Sequence, residues 1–180
     1  MMETFQSIET RRTIIRRLIH ADEEKLMELL CDPSVTNNMS FTEEMKTPTG
    51  AKDLLAMTIK SYDTKVPLLA YAIEDASTGE FIGVTGLNPL EEHNIEVFYA
   101  LLPAYWHKGF ASEVLNGLVD FVFKKEKYQA ISAFITPNNL ASVRVAKKNG
   151  FVNRGLVKNP AFSKKVFLFQ KENNNELDRK

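Results

Sequence analysis

The sequence predicts a mixed α/β fold, with a central sheet of about six to seven strands and helices on both of its faces. Three observations lead to this prediction. Short apolar runs alternate with amphipathic helical segments along most of the 180 residues. A turn sequence at 75–79 joins two apolar runs as a hairpin. An apolar strand, a helix and a second apolar strand follow one another later, which is the order of a right-handed parallel crossover.

The first half of the chain is predicted to be antiparallel. Its helices are indicated by apolar stripes at helical spacing, and its strands by short apolar or β-branched runs. Residues 32–48 contain Asp-Pro, Asn-Asn and Thr-Pro pairs, which favour irregular structure. The predicted elements are a strand at 13–17, helices at 23–30 and 49–62, and strands at 68–74 and 80–87.

The second half is predicted to contain the parallel crossover. The predicted elements are strands at 95–102 and 130–136 with a helix at 112–123 between them, a helix at 139–149 and strands at 151–156 and 165–170. Gly150 follows the second of these helices as the expected residue after its end. We expect one domain over residues 1–170 and a polar, disordered tail at 171–180.

The composition excludes several classes of function. Lys and Arg number 23 and so do Asp and Glu, so the charge gives no support to nucleic-acid or anionic-membrane binding. No apolar run approaches the roughly 20 residues that span a bilayer, and the first residues lack a secretory signal pattern. Cys31 is the one cysteine, and the three histidines lack metal-ligand spacing. We therefore expect a cytoplasmic protein without a metal.

Residues 99–112 are the most informative segment for function. A strand ends at Leu102, and a turn and a glycine-containing loop then lead into a helix. Unpaired backbone N–H groups and the helix dipole at such a place favour a phosphate or diphosphate. Gly109 permits close approach of a ligand to the backbone, and Lys108 adds a positive charge. Neither the Walker A nor the dinucleotide-binding glycine pattern is present.

Four stretches in order resemble the GNAT superfamily of acetyl-CoA-dependent N-acetyltransferases, and within it the RimJ/RimL-like branch that includes ribosomal-protein N-acetyltransferases. They are IETRR at 8–12 followed by DPSVT at 32–36, FIGVTGL at 81–87, YWHKGFASE at 105–113, and NLAS at 139–142 with KNGF at 148–151. The resemblance implies the acyl-CoA N-acyltransferase fold and acetyl-CoA as co-substrate. A CoA-binding module of the same fold with little or no catalysis is the alternative.

The resemblance also implies which residues bind coenzyme A. The diphosphate is expected on the backbone amides of the loop and helix start, and the pantetheine arm along the end of the preceding strand like an added strand. Asn139 contacts the pantetheine or acts as an ordinary helix N-cap, and Lys148 reaches a phosphate or is simply solvated. The full expected set is Tyr99, Leu101, Leu102, His107, Lys108, Gly109, Phe110, Ala111, Ser112, Asn139, Ser142 and Lys148.

Two positions depart from the pattern of the branch. His107 stands where the branch usually has glycine, so its amide serves a ligand only if the backbone there does not need a positive φ. Phe98 stands where a small glycine is common in the strand, and it is expected to narrow the acceptor pocket.

The expected reaction is direct attack of an amine on the thioester, for which a base must accept the amine proton. Glu96 is the leading candidate base, with a solvated surface carboxylate as the alternative, and Ser142 is the leading thiol-side acid or positioning group. Backbone N–H groups near Leu101 suit the developing oxyanion. Tyr99 and Tyr105 are secondary candidates, since tyrosines here more often pack.

The acceptor is left open by the sequence. Its pocket is expected to use residues 32–48, the helix at 49–62 and the loop at 159–162. A protein N-terminal α-amine, a polyamine and a small-molecule amine are the candidate acceptors. We expect no nucleic-acid or membrane partner, and either a monomer or a homodimer.

Overall fold

The computed structural model describes residues 4–91, 93–125 and 127–173, and over this range the chain forms an eight-stranded sheet. The strands are β1 (Ser7–Glu9), β2 (Thr13–Arg17), β3 (Ala70–Asp75), β4 (Phe81–Glu91), β5 (Asn94–Leu101), β6 (Ala130–Ile135), β7 (Val152–Val157) and β8 (Val166–Glu172). The α-helices are α1 (Glu23–Cys31), α2 (Pro33–Thr36), α3 (Pro48–Ser61), α4 (Phe110–Phe123) and α5 (Leu140–Lys148). Short 3₁₀ turns lie at His20–Asp22 and Pro103–Tyr105.

The strand order in the sheet is β1-β2-β3-β4-β5-β6-β8-β7. The β5–β6 pair is parallel and the other neighbours are antiparallel, which confirms the predicted crossover through α4. This parallel pair is short, since it joins only Asn94–Glu96 to 130–132. Beyond Glu96 the two strands separate, and the gap between them is where the site forms.

Helices cover both faces of the sheet, as predicted. On one face α4 buries the apolar residues that its sequence pattern placed inward, at 114, 115, 118, 119 and 122, against strands that include β5 and β6. On the other face α1 and α3 pack on β3, β4 and β5 through Leu29, Leu30 and Leu55. Side chains alternate along β5, so Val97 and Leu101 pack on the face covered by α4, and Ala100 packs on the face covered by α1 and α3.

The structure corrects several predicted boundaries. The sheet has one strand more than the upper expectation because β1, only three residues long, pairs with β2. A four-residue helix, α2, lies inside the segment predicted to be irregular, with Asp32 accepting the Ser34 amide as its cap. Helix α4 begins at Phe110, two residues before the predicted start.

The predicted tail also begins too early. Lys171 and Glu172 belong to β8, where they pair with Ile131 and Ala130, and Lys171 Nζ donates to the Asn149 carbonyl at 2.8 Å. The polar composition of these residues concealed a strand whose partner lies some forty positions away. The rest of the predicted tail, from 174 onward, lies outside the described residues. None of the described helices combines the length and the apolar character needed to cross a membrane.

Candidate functional site

A cleft of about 450 Å³ opens where β5 and β6 separate. It extends from the start of α4 past the open edge of β5 to the start of α5. The residues predicted to bind coenzyme A line it, with the exceptions of Leu102 and Lys108. The Leu102 amide donates instead to the Ile82 carbonyl at 2.9 Å, and the Lys108 ammonium lies over the Tyr105 ring. The fold therefore brings most of the expected set into one cavity.

The start of α4 presents backbone N–H groups to this cleft. Gly109 is the N-cap residue and has a φ of 84°, a left-handed conformation that glycine adopts without strain. The amides of Phe110, Ala111 and Ser112 follow in the first turn, where no intrahelical acceptor exists and no side chain caps the helix. Phe110, Ala111 and Ser112 all line the cleft. The anion site inferred from the sequence thus has free donors and the positive end of a helix dipole.

His107 has a φ of 59°, so this position has the left-handed backbone that glycine adopts without strain. Histidine tolerates this conformation better than a bulky or β-branched residue, but it still costs free energy. The side chain is exposed and lines the cleft. The expectation that this position needs no positive φ is therefore wrong, and the loop holds His107 in a strained conformation.

An ion pair across the fold holds the loop in place, and the sequence did not reveal it. Glu113 in the first turn of α4 accepts hydrogen bonds from Thr10 Oγ1 at 2.6 Å and from Arg12 Nε at 2.8 Å. Arg12 Nη1 donates to the Lys108 carbonyl at 3.0 Å, and the guanidinium lies 4.6 Å from the centre of the Phe110 ring. Thr10, Arg12 and Glu113 all occur in the stretches that resemble the family, which was the one available signal.

The charge state of Glu113 follows from these contacts. Burial by itself raises the pKa of this carboxyl group, but the hydrogen bonds from Thr10 and Arg12 outweigh burial and lower the pKa below its ordinary value. Glu113 is therefore a carboxylate near neutral pH, and it is fully paired. It fixes the loop and is not available for proton transfer.

The edge of β5 that faces the gap has free backbone groups. In the antiparallel β4–β5 pair, alternate residues of β5 bond to β4, and the Leu102 amide and the Phe98 carbonyl point that way. The main chain of Tyr99 and Leu101 therefore points toward the gap, as pantetheine binding requires. The Leu101 carbonyl already accepts the Trp106 indole N–H at 2.7 Å, which leaves the Leu101 amide as the free donor.

Helix α5 forms the opposite wall. Asn139 is its N-cap, and Asn139 Oδ1 accepts the Ser142 amide at 3.1 Å, so the capping alternative is observed. Arg144 and Lys148, one helical turn apart, both line the cleft. The sequence interpretation had considered Lys148 but missed Arg144, although the spacing of four residues was a usable signal.

Glu96 and Ser142 meet at a second, smaller cavity of about 50 Å³, which shares Tyr99, Asn139 and Ser142 with the main cleft. Glu96 is half-buried and accepts a hydrogen bond from Asn88 Nδ2 at 3.1 Å. Burial raises the pKa of Glu96 above its ordinary value, and the Asn88 contact offsets only part of this effect. The alternative of a fully solvated carboxylate does not describe it.

Tyr99 lines both cavities. Because residues alternate along β5, its side chain lies on the α5 side of the sheet, opposite to that of Glu96. Its hydroxyl oxygen is closed off from solvent and makes no well-formed hydrogen bond. Burial raises the pKa of Tyr99 to about 12, although the Ser142 side chain acts in the opposite direction.

The loops predicted to enclose the acceptor do reach the small cavity, whereas α3 lines neither cavity. Thr136 Oγ1 donates to Asn38 Oδ1 at 2.7 Å and so links the loop after α2 to the end of β6. Phe98 lines the small cavity and makes an edge contact with Phe41 at 6.5 Å between ring centres. With Phe162 on the other side, this cavity is narrow and largely apolar.

The chain is similar to known proteins in sequence and in fold. The model of the acetyltransferase (GNAT) domain family matches residues 12–152. The uncharacterized N-acetyltransferase p20 of Bacillus licheniformis is 28% identical over 155 residues, which cover 85% of this chain and 86% of that protein.

Solved structures share the fold over nearly the whole chain. RimJ of Mycobacterium smegmatis in complex with CoA-disulfide superimposes with a TM-score of 0.77 at 16% identity, covering 93% of this chain and 87% of that one. Spermidine N-acetyltransferase from Vibrio cholerae in complex with CoA and spermine has a TM-score of 0.75 at 19% identity, covering 92% and 98%.

The matched family model spans most of the sheet, the loop before α4 and the whole of α5. RimJ and RimL proteins are among the structural neighbours, in agreement with the branch suggested by the motifs. The chain therefore belongs to the GNAT acetyltransferase family and is an acetyl-CoA-dependent N-acetyltransferase.

Proposed function

We propose that the protein transfers an acetyl group from acetyl-CoA to a primary amine by direct attack on the thioester. The observation that carries this proposal is a pair of neighbouring cavities that share Tyr99, Asn139 and Ser142, the larger lined by the start of α4 and the smaller by Glu96. The expected cofactor end and the candidate chemical groups therefore lie in two cavities with shared lining residues beside β5.

The donor groups in the cleft fit coenzyme A. Three uncapped amides at a helix start suit a diphosphate. The guanidinium of Arg144 and the ammonium of Lys148 add positive charge on the facing wall, where a further phosphate is expected. The main chain of Tyr99 and Leu101 offers strand-like hydrogen bonds to the amides of the pantetheine arm.

Acetyl-CoA supplies the acetyl group as an activated thioester, and residues of this chain handle the proton and the charge. Glu96 accepts the amine proton directly or through a water, and its raised pKa makes it a stronger base than an exposed carboxylate. The Leu101 amide is placed to donate to the carbonyl oxygen as negative charge develops there. Ser142, which lines both cavities, is proposed to act on the thiol side as an acid or a positioning group.

The acceptor is proposed to enter from the side of Glu96, through the small cavity. Met39, Phe98, Phe134 and Phe162 give that cavity apolar walls around one carboxyl group. Such a shape receives a narrow amine-bearing end, and a protein N-terminus, a polyamine or a small-molecule amine each presents one. The similarity to a spermidine N-acetyltransferase is one reason to include polyamines among the first acceptors tested.

The first test is thermal melting with acetyl-CoA, CoA, ATP and NAD at equal concentrations. A ligand at 100 times its dissociation constant stabilises the folded state by about 2.7 kcal/mol. For a domain of this size, that corresponds to a rise in Tm of roughly 5–11 °C. We expect this rise with acetyl-CoA and CoA alone; an equal or larger rise with ATP or NAD contradicts the assignment of the cleft.

The second test measures release of free thiol from acetyl-CoA with a panel of peptides with free N-termini, polyamines and small amines. Amine-dependent release supports the proposed function and names the acceptor class. Stabilisation by CoA together with no release from any amine supports the alternative, a CoA-binding module with little catalysis.

A further inference from the structure

We propose that the acceptor is a primary amine on an unbranched methylene carbon, and that Phe98 is the specificity-determining residue that excludes amines on branched carbons. This inference rests on the proposed function, because it names the acceptor class of the same site. The ends of a polyamine and the side chain of lysine belong to this class. A peptide N-terminus other than glycine does not, since its α-carbon carries a side chain.

The Phe98 ring is fixed by its contacts with two other segments. Gly86 is the direct partner of Phe98 in the β4–β5 pair, so the ring lies on the face of the sheet where a side chain at Gly86 would project. A Cβ at Gly86 would collide with the ring and would lie 2.7 Å from the Leu69 carbonyl oxygen. Phe41 packs against the ring with an edge contact, at 88° between the ring planes. The ring therefore fills the space that the missing side chain of Gly86 leaves.

Hydrogen bonds also hold the backbone of Phe98 and the loop that carries Phe41. Thr85 is buried, and its Oγ1 donates to the Phe98 carbonyl at 2.6 Å. The contact between Thr136 and Asn38 ties the loop after α2 to the end of β6. A wider acceptor can therefore enlarge the cavity only by breaking contacts of the folded chain.

Phe98 lies where the carbon next to the reacting nitrogen must be. Glu96 and Phe98 are two positions apart on β5, so their side chains project from the same face of the sheet, about 7 Å apart along the strand. The Leu101 amide, the proposed donor to the developing oxyanion, lies further along the same strand. A nitrogen placed for proton transfer to Glu96 and for attack near Leu101 therefore has its first carbon beside Phe98.

The size of the small cavity limits the width of that first carbon. The cavity volume is about 50 Å³, whereas one water molecule needs roughly 10–15 Å³ of cavity. The cavity therefore admits a nitrogen and a few carbons in a single chain. Phe134 and Phe162 line it together with Phe98, so a methyl branch on the first carbon meets an aromatic side chain. Adding a methyl group there is unfavourable for the same reason as overpacking a protein core.

The experiment compares 1-aminobutane with 2-aminobutane as acceptors for the wild type, Phe98→Ala and Phe167→Ala. The two isomers have the same atoms and charge and differ only in the branching of the carbon that carries the nitrogen. Phe167 is a matched control, because it is also a half-buried strand residue with an edge contact to another phenylalanine, at 6.3 Å against 6.5 Å for Phe98, yet it lines neither cavity. We expect kcat/KM of the wild type to favour 1-aminobutane about 10- to 200-fold. The preference should fall below about threefold in Phe98→Ala and stay at the wild-type value in Phe167→Ala.

A second variant, Phe98→Leu, keeps an apolar side chain at this position but removes the ring, so it decides the question if the alanine variant does not fold. Its preference should lie between those of the wild type and Phe98→Ala. Two peptides that differ only in their first residue, glycine or valine, test the same rule on α-amines. The wild type should acetylate the glycine peptide faster.

Two results overturn the proposal: a wild type that uses both isomers within about threefold of each other, or a Phe98 variant that keeps the full wild-type preference. An equal fall in preference in Phe167→Ala also contradicts it. If only amines on branched carbons react, this inference fails and the proposed function stands. If no amine reacts, the proposed function fails, and calorimetry of the two isomers with the CoA complex still decides whether Phe98 discriminates between them.

Discussion

Comparing Gly109→Ala with Gly79→Ala should distinguish the effect of a left-handed alanine on stability from the effect of a methyl group at Gly109 on CoA binding. Gly79 provides a matched control, because it has a φ of 74° against 84° at Gly109 and lies in the β3–β4 turn, away from the cleft. An alanine at either position adopts a left-handed backbone, which costs about 1–2 kcal/mol. The lower conformational entropy of the unfolded chain with alanine offsets about 0.4–1 kcal/mol of this cost.

The net loss of stability at each glycine is therefore about 1 kcal/mol, or a fall in Tm of roughly 2–4 °C. A Cβ at Gly79 would meet no atom within 4 Å, and one at Gly109 would meet Arg12 Nη2 at 3.4 Å, which is an acceptable contact. The two variants should therefore unfold alike.

Binding of CoA should differ between the two variants. A methyl group at Gly109 obstructs close approach of a diphosphate to the first amides of α4, at a cost of about 1.5–3 kcal/mol for one charge-assisted hydrogen bond. Calorimetry should then show CoA affinity about 10- to 150-fold weaker for Gly109→Ala and unchanged for Gly79→Ala. A Gly109→Ala protein that binds CoA within twofold of wild type would refute the assignment of the loop.

Three further variants test the other parts of the site. Glu96→Gln should abolish the rise of kcat with pH. Because the pKa of Glu96 is raised in the folded protein, ionisation of this carboxyl group lowers the stability of the wild type as pH increases. The Tm of the variant should therefore equal that of the wild type at pH 4 and exceed it at pH 8. An unchanged pH–rate profile would place the base elsewhere. His107→Gly should alter stability by less than about 1 kcal/mol, because relief of the strained φ offsets the greater freedom of the unfolded glycine chain. Calorimetry should show weaker CoA binding, because the substitution removes an exposed side chain that lines the cleft. A collapse of kcat with unchanged CoA affinity would contradict a binding role for His107. Glu113→Gln should destabilise the protein by about 1–2 kcal/mol at pH 7 and weaken CoA binding. Because the pKa of Glu113 is lowered in the folded protein, the difference in unfolding free energy between variant and wild type should shrink as pH falls through that pKa. Denaturant titrations at several pH values measure this difference. A difference that stays constant with pH would argue against the ion pair with Arg12.

The parts of the site that could be predicted from sequence depend on residues close together in the chain. Gly109 followed by the start of α4 is such a unit, because free amides and a helix dipole arise from a few consecutive residues. The apolar spacing within α4 likewise predicted the face that it buries. Motif resemblance added Asn139 and Ser142, although the capping role of Asn139 needed the structure.

Only the tertiary structure decided the features that depend on distant segments. The cleft exists because β5 and β6 stop pairing after Glu96, and nothing in either strand alone indicates where two strands separate. Arg12 and Glu113 meet across 101 positions of sequence, and the burial of the Tyr99 hydroxyl exists only in the folded chain. Local sequence determines backbone conformation and amphipathic faces, whereas burial, pKa shifts and cavity shape arise from packing between elements far apart in the chain.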